Sequence, residues 1–380
     1  MEEIARITQQ LVQKPSFVDA HHNERRVADF IFSYLKRVPY LTVRRENVTV
    51  GRVNIIATSV GRPQLLLAAH MDTVEPRSGQ GRSQFGGVIR GNRLFGLGAY
   101  DTKGGTAALL TSLRRFRNVS GLTLLFYCDE EYNFLGMKSF LARHRGSLGS
   151  LAVLSEPTHL KIWNAHRGLI ELSFSVKGRS GHPAHEPRHR GAVWNTLEGL
   201  TALERRLRRY RDSVLGRPIF NVARFQGGLR LAGSPDYGLR FASSANNISD
   251  YAHVLLEVRT PSPTLRAARI VLFLERFFRT RDLVLDDIVI KHDLGALATP
   301  KGRLLEAVVR ESIGKISYLD PSRKGYSDGQ LLHEKLSIPV AYFGPAGGNA
   351  HAPGEWVDIP SLLRLSNFYA NLLKRGARGI

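Results

Sequence analysis

The order of apolar and polar positions divides the chain into three stretches. Up to about residue 167, near-continuous apolar runs alternate with segments of helical period. A helix is expected at about 22–37, then strands at 40–46, 51–58 and LLLAAH at 65–70. A hairpin around GVIRGNRLFG follows, its Gly-Asn turn suited to positive φ. Next come a helix at 102–117, the strand LTLLFYC at 122–128, a helix at 134–144 and the strand LAVLS at 151–155. Apolar strands separated by helices predict an α/β fold with a mainly parallel sheet and helices on both faces.

From 168 the pattern changes. GLIELSFSV alternates with period two, as a half-exposed antiparallel strand does. A helix from 191, the strand YAHVLLEVRT, a helix over 264–279 and the strand LVLDDIVIKH complete a small α+β block. After Asp293 the first pattern returns, with helices at 302–313 and 328–336, the strand IPVAYFG and a final helix from Pro360. The chain therefore reads as one α/β domain, 1–167 and 294–380, interrupted by an α+β domain at 168–293.

Composition narrows the class. Of the 380 residues, 43% are hydrophobic and 23% charged, which excludes a disordered or low-complexity chain. The single cysteine, Cys128, excludes an internal disulfide framework and a cysteine-built zinc site. It lies in an apolar run and reads as a buried structural thiol. No apolar stretch reaches the roughly 18 residues of a membrane span. MEEIARITQQLVQ reads as an amphipathic helix and not as a secretory signal, so a soluble, cytoplasmic protein is expected. The net charge of +21 raises nucleic-acid binding as a class. The charge is dispersed, however, and its densest run, ERRLRRYR at 204–211, reads as the solvated face of a helix. No zinc-finger spacing, RNA-recognition aromatic motif or P-loop accompanies it.

The strands of the α/β domain deliver the candidate chemistry. LLLAA runs into His70 and Asp72; LTLLFYC runs into Asp129, Glu130 and Glu131. LAVLS runs into Glu156, and IPVAYF into a Gly-rich loop that reaches His351. A Gly-rich turn, FGLGAYDTKGG, carries Asp101 to the start of a helix. Ligands of open α/β sheets bind beyond the carboxyl ends of the strands. Singly, each of these residues has a plain structural explanation: a hydrogen-bonded histidine, or a helix cap. Together, two imidazoles and three carboxylates without a thiolate suit zinc, cobalt or manganese. One shared carboxylate, with a histidine and a carboxylate for each ion, would hold two divalent metals. A bridging hydroxide would then be the nucleophile, with a free carboxylate managing its proton.

HMDTVEP, GLGAYDTKGG, DEE, SEPT and GPAGGNAHAPGEW resemble the successive motifs of the co-catalytic zinc aminoacylase and metallopeptidase family. That family includes acetylornithine deacetylase, succinyl-diaminopimelate desuccinylase, aminoacylase and glutamate carboxypeptidase. The resemblance implies Asp101 as the residue bridging two metals, with His70 and Glu156 completing one site and Glu131 and His351 the other. It implies Asp72 as the acceptor of the His70 N–H, Glu130 as general base, and a cis peptide after Asp101. In the inserted domain GRSGHPAH resembles the lid motif, which makes His182 the oxyanion donor, acting across a homodimer. ANNISDYAHVLLEVRT resembles the segment that binds substrate through Asn246 and Arg259; an ion pair of Arg259 across the sheet with a residue such as Glu257 is the competing explanation. Glu75, Thr102, Ser249 and the extension HEPRHR depart from the family pattern, and none of them removes a ligand or the base.

The resulting expectation is a metal-dependent hydrolase of N-acyl amino acids, deacetylase- or desuccinylase-like. Glu156 and GYSDGQLL favour that branch. A di- or tripeptidase or carboxypeptidase on the same scaffold is the alternative. A basic nucleic-acid-binding protein and a catalytically silent scaffold stand further off.

Overall fold

The structure is a computed structural model, and it describes residues 2–77, 84–146, 148–185, 190–235, 238–323 and 325–376. Contacts divide the chain into two compact units: Met1–Asn164, Ala298–Asp320 and Ser327–Ile380 form the first, Ala165–Leu297 and Pro321–Tyr326 the second.

The first unit is built on a six-stranded sheet: β1 (Thr42–Thr49), β2 (Arg52–Thr58), β3 (Leu65–His70), β4 (Leu122–Tyr127), β5 (Leu151–Leu154) and β6 (Val340–Tyr342). Their order across the sheet is β1-β2-β4-β3-β5-β6. β4, β3, β5 and β6 run parallel, while β1 and β2 form an antiparallel edge. Every residue of β3 and β4 is buried, so both faces are covered. Leu65, Leu67 and Ala69 share one core with Leu122, Leu124 and Phe126 and with the helices Gly104–Leu113 and Ile359–Gly376. On the opposite face Leu66, Ala68 and Leu125 are equally buried. There the helix Gly329–Leu336 begins against Leu154 and Tyr342. Cys128 is fully buried, and its burial pushes the thiol pKa up, which keeps it protonated and inert.

The second unit holds a four-stranded antiparallel sheet in the order Ile219–Gly228, Tyr251–Thr260, Gly168–Lys177, Val284–Asp293. Its alternation is plain in the central strands. Ile170, Leu172, Phe174 and Val176 face one core with Ala252, Val254, Leu256 and Val258, under the helices Ala192–Leu207 and Ala267–Arg279. The strand Ile219–Gly228 is absent from the sequence expectation. It is an edge strand with no fully buried residue, so no period-two signal marks it.

Candidate metal centre

β3 ends at His70, which is 2% exposed. Its Nε2 lies 3.0 Å from Oδ1 of Asp101, and Nε2 of His351 lies 3.2 Å from Oδ2 of the same carboxylate. The two oxygens of Asp101 thus face two different imidazoles. His351 Nε2 is also 3.0 Å from Oε1 of Glu131, a buried oxygen that no donor among the described residues meets in hydrogen-bond geometry. His70, Asp101 and Glu131 each offer a ligand atom within 4.8 Å of the others. An orphaned buried carboxylate oxygen facing an imidazole at this distance suits a cation that both would coordinate.

Asp72, two residues beyond β3, ties the strand ends together. Nδ1 of His70 is 3.2 Å from the Asp72 carbonyl oxygen and 3.6 Å from its Oδ1. Its other carboxylate oxygen accepts the Glu131 N–H at 2.9 Å. Asp72 therefore orients an imidazole from β3 and the loop after β4 with one side chain. Glu156 follows β5, is 6% exposed and accepts a hydrogen bond from Ser327 at 3.1 Å.

Electrostatics argue in the same direction. Burial lifts the carboxyls of Glu130 and Glu156 well above the usual range; for Glu130 the charges of Glu156 and Asp328 add to it. Burial also raises Glu131. Burial alone would raise Asp101 and depress His70. Contacts with His351 and His70 outweigh it at Asp101, and contacts with Asp101 and Asp72 outweigh it at His70. The cluster gathers more negative charge than a buried pocket tolerates unless cations compensate it. Divalent ions fit that donor set. His70, Asp101, Glu131, Glu156 and His351 are the residues that would hold them.

The backbone places Asp101 with care. Residues Ala99–Lys103 form a kinked turn between Gly98, at φ 80°, and the helix from Gly104, and the Asp101–Thr102 peptide is cis. The helix expected at 102–117 accordingly begins at Gly104. Glu355, absent from the sequence expectation, holds this turn. It is 3% exposed and accepts the N–H groups of Gly98 at 2.9 Å, Tyr100 at 2.8 Å and Asp101 at 3.0 Å. Its only local mark in the sequence is its place near the end of the Gly-rich segment GPAGGNAHAPGEW. Glu355→Gln sets an amide NH2 against these N–H donors. Metal affinity should fall about 10–100-fold, measured by metal retention against graded chelators, while the far-UV circular dichroism spectrum stays unchanged.

Asp129 shares the strand end but has another task. Arg52 binds Glu24 at 2.5 Å and Asp129 at 2.6 Å, and Asp129 Oδ2 accepts the N–H groups of Asn133 and Leu135. This buried network fixes the loop that carries Glu130 and Glu131. Glu75 is exposed. Asp328 is buried, accepts the Tyr127 hydroxyl at 2.8 Å and is pushed up to about 7 by burial.

His182, Asn246 and Arg259 belong to the second unit. His182 and Asn246 are exposed; His182 Nδ1 accepts the Ala184 N–H at 3.2 Å. Arg259 makes the ion pair with Glu257, through Nε at 2.8 Å and Nη2 at 3.2 Å, along one strand. Its guanidinium also lies 4.5 Å from the centre of the Tyr326 ring. Most of the loop extension HEPRHR, 186–189, lies outside the described residues.

The profile of Peptidase family M20/M25/M40 matches residues 66–375. The chain is 33% identical over 151 residues to the acetylornithine deacetylase of Aliivibrio fischeri strain MJ11, covering 38% of this chain and 40% of that relative. It is 28% identical over 367 residues to the succinyl-diaminopimelate desuccinylase of Aromatoleum aromaticum, covering 89% of this chain and 88% of that relative. In three dimensions it resembles the M20 family metallo-carboxypeptidase Sso-CP2 of Sulfolobus solfataricus, at a TM-score of 0.78 and 17% identity over the full length of both chains.

Proposed function

Because the chain belongs to peptidase family M20/M25/M40, we propose that it is a metal-dependent hydrolase of the amide bond in N-acyl amino acids. The observation that carries this reading is the Asp101 carboxylate, whose two oxygens face His70 and His351. Asp101, His70, Glu156, Glu131 and His351 would hold two divalent ions, zinc with cobalt or manganese as substitutes, with Asp101 shared between a His70–Glu156 pair and a Glu131–His351 pair. When bound, such ions supply Lewis acidity to a carbonyl oxygen and acidify water.

The remaining work falls to side chains. Glu130 takes a proton from the attacking water onto its carboxylate and returns it to the departing amine nitrogen as the C–N bond breaks. Asp72 keeps the His70 imidazole oriented toward Asp101. His182 donates a hydrogen bond to the oxyanion. Asn246 and Arg259 bind the substrate. Two of the three Arg259 guanidinium nitrogens are occupied by Glu257, which leaves Nη1 for a substrate carboxylate.

Relatives that remove acetyl and succinyl groups support an acyl substrate. A short peptide is the second reading, favoured by the metallo-carboxypeptidase fold neighbour. Primary-amine release from N-acetyl, N-succinyl and dipeptide substrates, with and without chelator, tests both. Chelator-sensitive release confined to acyl substrates is expected. Release from dipeptides alone would replace the deacylase reading, and silence with no metal bound would remove both.

We further place the protein in the cytoplasm; among the described residues no helix is long and apolar enough to cross a membrane. It acts as a homodimer joined through the second unit. The edge strand Val284–Asp293 exposes Val284, Val289 and Ile290, apolar side chains beside an unpaired strand edge. Mixing Glu130→Ala with His182→Ala protein should restore part of the activity if His182 serves the other subunit. No recovery after demonstrated subunit exchange would refute that role.

A further inference from the structure

In the second unit, the end of the helix Ala192–Leu207 and the helix Ala267–Arg279 enclose a cavity of about 320 Å³. Arg206, Arg209, Arg269 and Arg276 line it, and among the described residues no carboxylate does. Among the described residues none of the four arginines has an ion-pair partner; the neighbouring Glu204 is engaged by Arg208 at 2.9 Å. Four guanidiniums around one small cavity repel one another unless an anion enters.

The walls have a second character. Arg206 lies 5.4 Å from the centre of the Phe273 ring, and Arg209 lies 5.3 Å from that of Tyr210. Below them Leu207 and Ile270 are buried and form an apolar floor. Burial alone would raise the Tyr210 hydroxyl, but Arg269 and Arg209 outweigh it and lower its pKa, a sign of strong positive potential. Guanidinium groups bind phosphate oxygens in a planar fork, and the half-buried rings of Tyr210 and Phe273 add aromatic surface to the same walls. The volume is at the lower end for a small-molecule site.

We propose that this cavity binds a phosphorylated aromatic small molecule of the nucleoside di- or triphosphate class. Its phosphates sit among the four arginines, and its ring rests on the apolar floor beside Tyr210 and Phe273. The site stands apart from the hydrolase reading: none of its lining residues belongs to the proposed metal centre or to the proposed substrate contacts.

Calorimetric titration of the full chain with ATP, pyrophosphate and inorganic phosphate tests it, with hydrogen exchange to locate the ligand. ATP should bind with Kd below about 100 µM, tighter than inorganic phosphate, and protect residues 203–210 and 265–276. Arg209→Ala combined with Arg269→Ala should weaken ATP at least about tenfold with amine release unchanged. The corresponding double lysine variant, which keeps charge but loses the fork, should bind with intermediate strength. Absence of ATP binding at millimolar concentration, protection confined to other segments, or undiminished affinity in the double alanine variant would each overturn the proposal. So would binding of duplex DNA or heparin without binding of ATP, which would make the cavity part of a polyanion surface.

Discussion

Glu130→Ala should lower turnover by about 10²–10⁴-fold, the span general-base removal covers, with metal content nearly unchanged. The side chain follows β4 directly and sits beside Glu131, so the two adjacent carboxylates are assigned different tasks. Glu131 is the one whose oxygen lies against His351. A variant at Glu130 therefore leaves the proposed ligand set intact and removes only the proton carrier. Steady-state amine release with metal analysis on the same preparation decides the matter. Substantial residual activity with full metal occupancy would refute the base assignment, and loss of metal would move Glu130 into the ligand set.

Asp101→Ala should have the larger effect on binding. One carboxylate faces both imidazoles, His70 at 3.0 Å and His351 at 3.2 Å, so its removal takes a ligand from both proposed ions at once. Bound metal should fall from two equivalents to less than one, and activity should fall to background. Replacing His351 alone removes a ligand from one ion, and one equivalent should remain. Mass spectrometry under non-denaturing conditions reads both stoichiometries. Retention of two metals by Asp101→Ala would exclude a bridging role.

These two variants probe the part of the site that was plainest in the chain. His70, Glu131 and Glu156 sit where apolar strands stop, and in a parallel sheet such ends meet at one edge. A local pattern therefore reports a tertiary position. The turn at Asp101 carries its own glycines and helix start, so it too is marked locally. The edge strand Ile219–Gly228 left no such mark, because a strand without a buried face has no alternation to display.

The sequence by itself determined the layered α/β architecture and the order of most of its strands and helices. Each depends on contacts or periods that repeat over a few neighbouring positions. Tertiary structure alone decided which donors surround each acid. Asp129 and Glu131 are two residues apart, yet Arg52 takes one and His351 faces the other. Glu355 binds a turn that lies more than 250 positions earlier in the chain. Asp72 reaches across from the end of β3 to the loop after β4. A carboxylate's role is set by the donors that surround it after folding, and those donors come from distant segments that no local period connects.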